Sequence, residues 1–219
     1  MIPDFTKEQL TTLHVDSTKP LVICDVDEVV VHFTRSFEQF LAQRQLRLET
    51  ISLALAGNIR SIKTNEPESA ESVSRLIDDF FAECTRNLSP INGAVDALLE
   101  IGKSASVVML TNLPHFAKSD RTENLADLGI TYPVITNSGP KGPAIKNLAA
   151  RTNGPVVFVD DSPGFIQSAN EHAPHVKLVH FLQDERFAKH TPHFDFVSLR
   201  THSWDFVKPH ILDLTAARF

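Results

Sequence analysis

The stretch LVICDVDEVVVHF, residues 21–33, sets two aspartates into an otherwise apolar run. Leu21 to Cys24 show no polar alternation, the pattern of a strand covered on both faces, and Val29 to Val31 return to it. A carboxylate buried without a partner is expensive, so Asp25 and Asp27 need a reason to be there. A strand end that reaches solvent, with Asp27 opening a turn or capping a helix, would supply one. A bound cation would supply another, and residues elsewhere in the chain bear on the choice.

Similar apolar runs recur along the chain. SASVVMLTN ends at Asn112, TYPVITNSG holds a short run, GPVVFVDDS ends at Asp161, and HVKLVHF is the last. Helical patterns alternate with them. SPINGAVDALLEIG offers Ser89 as a cap, Pro90 in the first turn, Gly102 as a stop, and Val95, Leu98 and Leu99 as an apolar face. GPAIKNLAARTNG turns Ile145, Leu148 and Ala149 inward, and SPGFIQSAN starts on Ser162 and Pro163. SWDFVKPHILDL reads as a final helix, kinked near Pro209 and anchored by Trp204. Strands and helices in this alternation predict an α/β fold, a doubly wound, Rossmann-like parallel sheet.

Residues 34–88 break the rhythm, being far more than a crossover needs. Val73, Leu76, Ile77, Phe80, Phe81 and Cys84 fall at helical spacing, and Phe37, Phe40 and Leu41 form a shorter stripe. The expected organisation is a core of residues 1–33 and 89–219 with a small helical subdomain at 34–88, in which KTNEPES is a polar connector.

The unusual polar residues sit at run ends: Asp25 after the first, Thr111 and Asn112 after the second, Asp160 and Asp161 after VVFV. Lys141 lies in NSGPKGP, the loop opening a helix. In an open parallel sheet, ligands bind outside the carboxyl ends of the strands, so these groups should meet at one edge. Carboxylates from two strands suit a hard cation such as Mg²⁺, while a hydroxyl, an amide and a lysine suit an anion. Together they describe phosphoryl transfer.

In these segments the chain resembles the haloacid dehalogenase superfamily. LVICDVDEVVV resembles its first motif, VVMLT its second, Lys141 its third and VVFVDDS its fourth, in order over residues 20 to 181. The resemblance implies a Mg²⁺-dependent phosphatase. Asp25 would be the nucleophile that forms an aspartyl-phosphate, and Asp27 the general acid and base. The Asp25 and Asp161 side chains with the Asp27 carbonyl would hold Mg²⁺, and Asp160 would orient them. Thr111 and the residue after it, Asn112, would bind phosphoryl oxygens, with Lys141 balancing charge; Lys146, one turn into the helix, competes with it. Many members carry Gly where this chain has Glu28. An insert after the first motif resembles a helical cap, which implies a small phosphorylated metabolite as substrate. Arg35, Arg60, Lys63 and Arg75 are candidate cap charges. A phosphotransferase or mutase, a phosphonate-type hydrolase, or a quiet module binding a phosphorylated ligand would share the site.

Bulk properties restrict the rest. The 219 residues are 42% hydrophobic and 22% charged, ordinary for a globular protein. A net charge of −6 argues against nucleic acid as a partner. No apolar run is long enough to span a membrane, MIPDFTKEQL lacks the pattern of a signal peptide, and Cys24 and Cys84 suggest no disulfide framework. A cytoplasmic setting is expected. The histidine pairs His172/His175 and His190/His193 lack acidic or thiol partners at ligand spacing and read as surface residues.

Overall fold

The computed structural model describes residues 1–52 and 54–216. In chain order the elements are α1 (Asp4–Thr12), β1 (Leu21–Cys24), α2 (Phe33–Gln43), β2 (Leu46–Leu48), β3 (Ile59–Ser61), α3 (Ala70–Cys84), α4 (Ala94–Ile101), β4 (Ser106–Thr111) and α5 (Lys118–Asp127). There follow β5 (Val134–Thr136), α6 (Gly142–Ala149), β6 (Val156–Asp160), α7 (Pro163–His172), β7 (Lys177–Phe181), α8 (Glu185–Ala188), β8 (Leu199–Thr201) and α9 (Trp204–Ala216).

Six strands form one parallel sheet in the order β5-β4-β1-β6-β7-β8, so the order reverses at β1. Cys24 lies level with Met109 of β4 on one side and Val159 of β6 on the other. All four residues of β1 are buried because successive side chains enter opposite layers. Val22 and Cys24 join the layer of α4, α9 and the insert, whereas Leu21 and Ile23 pack with α1, α6 and α7. This is the doubly wound core that the apolar runs imply.

The segment between β1 and α4 holds α2 and α3 with an antiparallel hairpin, β2–β3, between them. The hairpin escapes a reading based on helical spacing because its strands are three residues each and half-buried for the most part. Phe80 meets Phe33 and Phe37 edge-on at 5.2 Å, and Phe40 and Phe81 complete the cluster. These rings are continuous with Val26, Val29, Val30 and Val31 of the first motif's loop.

The start of α4, its buried face and the last strand also differ from the sequence reading. Ser89 and Pro90 do not start α4: Ser89 O accepts from His32 N and Ile91 N donates to Val30 O, so this backbone pairs with the first motif's loop. The helix begins after Gly93, whose φ of 79° suits glycine and where a β-carbon would lie 3.3 Å from Trp204 Cβ. Leu99 is 41% exposed, and Ala94, Ala97, Leu98 and Ile101 make the buried face instead. The last strand is β8, too short and polar to announce itself, which forms because β7 offers an open edge: Ser198 N donates to Leu178 O and Leu182 N to Thr201 O. At the opposite edge, α1 supplies Gln9, whose carboxamide accepts from Thr136 N at 3.0 Å and donates to Thr136 O at 3.1 Å. A side-chain amide thus stands in for a neighbouring strand on β5. Pro209 lies inside α9, and Trp204 is fully buried with its indole N–H on Val29 O at 2.8 Å. No helix among the described residues is long and apolar enough to cross a membrane.

Candidate active site

The carboxyl ends of β1, β4 and β6 bring together the acidic and basic residues singled out in the sequence. Asp25 follows β1 and stays in the sheet through its N–H on Val159 O at 2.9 Å. Asp160 is the last residue of β6, and Asp161 begins the turn into α7. Ligand atoms of Asp25, Asp160 and Asp161 lie within 4.8 Å of one another. Among the described residues, no other three His, Cys, Asp or Glu side chains come close enough together to share a metal ion.

Lys141, fully buried at the start of α6, enters between them. Its Nζ lies 2.8 Å from Asp25 Oδ1 and 2.7 Å from Asp160 Oδ2. Lys146 is exposed, which leaves Lys141 as the lysine of this cluster. Burial opposes the Lys141 ammonium, yet Asp160 and Asp25 outweigh it and hold its pKa above the ordinary value. Asp25 is pushed up to about 7, first by burial and against the pull of Lys141, with Asp160 and Asp27 adding repulsion. Burial also raises Asp161 well above the usual carboxylate range, helped by Asp160, Asp25 and Glu28.

Asp160 is committed to structure: Lys141 holds one oxygen and Ser162 N donates to the other at 2.8 Å. The Asp161 carboxylate takes no hydrogen bond from any described residue, while its carbonyl accepts from His180 Nε2 at 3.0 Å. Burial keeps His180 neutral, with its pKa lowered to about 4. With all three carboxylates ionised against one ammonium, the buried cluster would carry two surplus negative charges. That surplus fits one divalent, oxygen-preferring cation, with Asp25 and Asp161 as the side chains free to ligate it.

Asp27 lies beside this group. Its Oδ1 takes a 2.5 Å ion pair from Arg121, and Thr111 Oγ1 donates to its Oδ2 at 3.4 Å. Arg121, on α5, is fully buried and was not singled out in the sequence. Its signal is a cation four residues from Ala117 and Leu125, on a helix face that otherwise turns inward. Asn112 donates to Gly139 O at 2.9 Å and accepts from Asn137 at 3.0 Å, so its carboxamide fastens the loop that carries Lys141. Glu28, at φ 58°, is buried with Oε1 accepting from Thr34 N at 2.5 Å in the first turn of α2.

The remaining candidates are dispersed. Arg60 pairs with Glu49 and Arg75 with Glu71. Lys63 is exposed, and Arg35 lines a mixed-charge cavity with Glu38 and Arg186. His172 and His190 direct a ring nitrogen at the carbonyls of Ser168 and Thr50 rather than at a shared ligand position.

Solved structures share this arrangement of strands and helices over nearly their whole length. A HAD-family hydrolase from Deinococcus radiodurans, with bound phosphate and sodium, matches at a TM-score of 0.57 and 15% identity, covering 91% of this chain and 97% of its own. The fold is that of the haloacid dehalogenase-like hydrolases. The HAD-hydrolase YfnB from Bacillus subtilis, bound to magnesium, matches at 0.57 and 10% identity over 89% of this chain and 99% of its own. A dehalogenase in an intermediate complex matches at 0.56 and 14% over 90% and 98%. No protein-family model matches the chain, and no curated protein matches it by sequence. In this haloacid dehalogenase-like fold, the Asp25–Lys141–Asp160–Asp161 cluster occupies the sheet edge where the strand order reverses.

Proposed function

We propose that the chain is a haloacid dehalogenase superfamily phosphatase, dependent on Mg²⁺, that hydrolyses a small phosphorylated metabolite through an aspartyl-phosphate. The observation that carries this reading is the pairing of Asp25, beside Lys141 and two further carboxylates, with a second acid, Asp27, two residues on. A dehalogenase needs neither the second acid nor a divalent site.

In the first step an oxygen of Asp25 attacks phosphorus and the bond to the ester oxygen breaks, with a proton passing from Asp27 to the departing alcohol. In the second, water attacks phosphorus, the bond to Asp25 breaks, and Asp27 takes the proton from that water. Arg121 fixes one oxygen of Asp27, and Oδ2, weakly held by Thr111, is the one for proton transfer. Lys141 keeps Asp25 and Asp160 apart from each other's charge and offers its ammonium to the transferring phosphoryl group. Thr111 and the backbone of Asn112 contribute donors for the phosphoryl oxygens. Mg²⁺, held by the Asp25 and Asp161 side chains and the Asp27 carbonyl, would neutralise charge on those oxygens.

We read residues 34–88 as a cap over this edge, on a core of residues 1–33 and 89–219. Both cysteines are free thiols, in keeping with a reducing, cytoplasmic compartment. A panel of phosphate esters with Mg²⁺, or with chelator, tests the reading: turnover that disappears on chelation is expected, and turnover indifferent to chelation would remove it. Asp25→Asn should lower kcat by at least about 10³-fold, because the nucleophile is lost and not merely displaced. Near-normal rates in that variant would end the covalent route.

A further inference from the structure

A cavity of 440 Å³ opens beside the acidic cluster at Asp161, between the insert and the connection from β7 to β8. Phe33, Leu55, Leu182 and Phe187 make its apolar wall, Gln183 and Asp184 add polar groups, and no lysine, arginine or histidine is among its described lining residues. Glu28 stands where cavity and cluster meet. Its carboxylate, 9% exposed at the residue level, accepts from Thr34 N in the first turn of α2. A helix N-terminus attracts anions through such unsatisfied N–H groups, and here the chain fills the position with its own carboxylate. Glu28 does so from a left-handed backbone, φ 58°, which costs a residue with a β-carbon roughly 1–2 kcal/mol. Glycine would avoid that cost but could not make the bond.

We propose that this cavity receives the alcohol part of the substrate, and that Glu28 with the apolar walls favours phosphomonoesters whose alcohol carries no second anionic group. The inference rests on the phosphomonoesterase reading. A second carboxylate or phosphate entering the cavity would lose its hydration among Phe33, Leu55, Leu182 and Phe187, meet no cation, and lie beside Glu28. A neutral aryl or alkyl group would bury apolar surface at the same place, in a volume typical of small-ligand sites.

The test compares, at pH 8, kcat/KM of the Mg²⁺-loaded protein for phenyl phosphate, 4-carboxyphenyl phosphate and 4-(trimethylammonio)phenyl phosphate. Phenyl phosphate should exceed the carboxyphenyl ester by at least about tenfold, the scale on which an unpartnered contact discriminates. The cationic ester should exceed the carboxyphenyl ester as well, because Glu28 and the Phe33 and Phe187 rings do not repel a cation. Glu28→Gln keeps an acceptor for Thr34 N and removes the charge, so the carboxyphenyl-to-phenyl ratio should rise severalfold in that variant. Equal rates on phenyl and carboxyphenyl esters, a cationic ester turned over no better than the carboxyphenyl one, or a ratio untouched by Glu28→Gln would each overturn the proposal while leaving the phosphatase reading intact. Absence of turnover on all three esters and on the general panel would remove that reading and this inference with it.

Discussion

At the scale of the residue, the site is a set of charges whose energies depend on each other. Glu28 shows this most directly, because burial pushes it up to about 7 despite the bond from Thr34 N. An acid that holds its proton more tightly when folded contributes its full stability below about 4.5 and loses it as pH rises through about 7. In the metal-free protein, Glu28→Gln should therefore raise Tm at pH 8 and leave it nearly unchanged near pH 4.5, with a ceiling of about 3 kcal/mol. Thermal melts across that range check the sign; a variant less stable at pH 8 would contradict it. Arg121 makes the complementary case. Replacing it with Met leaves Asp27 without its ion pair, and removing one partner of a buried pair costs on the order of 3 kcal/mol. Denaturant melts should show that loss, whereas the same change at Arg75, an exposed ion pair with Glu71, should cost under about 1 kcal/mol. Asp25 was legible in the sequence because a carboxylate in an apolar run is conspicuous. Arg121 was not, since a lone arginine in the polar segment KSDRTENLAD looks like any solvated residue until the helix turns it inward.

Elements position these residues through their ends. Lys141 reaches Asp25 because α6 starts immediately after it and packs tightly on α7: a β-carbon on Gly142 would meet Ser168 O at 2.2 Å. Gly142 N also donates to Ser168 Oγ at 3.1 Å. Gly142→Ala should therefore cost about 1–3 kcal/mol by overpacking and lower activity as well, since the shift of α6 carries Lys141 with it. Melts together with kcat of the folded variant distinguish the two effects, and an unchanged kcat would show that Lys141 does not follow the helix. Ser162 with Pro163 correctly marks where α7 begins, and Pro143 sits likewise in the first turn of α6, because their conformational limits are local. Ser89 and Pro90 do not, because the backbone of residues 30–32 competes for the same segment and wins. That competition lies between stretches some sixty positions apart and leaves no local trace.

For the whole molecule, one sheet edge gathers carboxylates that repel one another, so folding and cation binding are linked. A divalent ion that binds the folded cluster should raise Tm, by about 2.7 kcal/mol of added stability at a hundredfold excess over Kd. The gain should vanish with chelator and shrink in Asp161→Asn, which removes the carboxylate left without a hydrogen bond. Calorimetric scans with Mg²⁺ and with chelator measure this directly; identical transitions would mean the cluster binds no ion when folded. Burial first, and then repulsion within this cluster, accounts for the raised pKa values of Asp25 and Asp161, which are properties of the assembled edge and not of either residue.

The sequence by itself determined the layered architecture and the identities of the charged residues at the strand ends. Burial on both faces demands apolar runs, and a polar residue that ends such a run stands out against them. Only the tertiary structure decided which partners those residues keep. It chose Lys141 over Lys146, turned the Asn112 carboxamide to the β5–α6 loop, and set Arg121 on Asp27 and Glu28 on α2. It also added the β2–β3 hairpin and the short β8. Periodicity records how much of a residue is buried, whereas a pairing depends on distances between segments remote in sequence, which only the folded chain fixes.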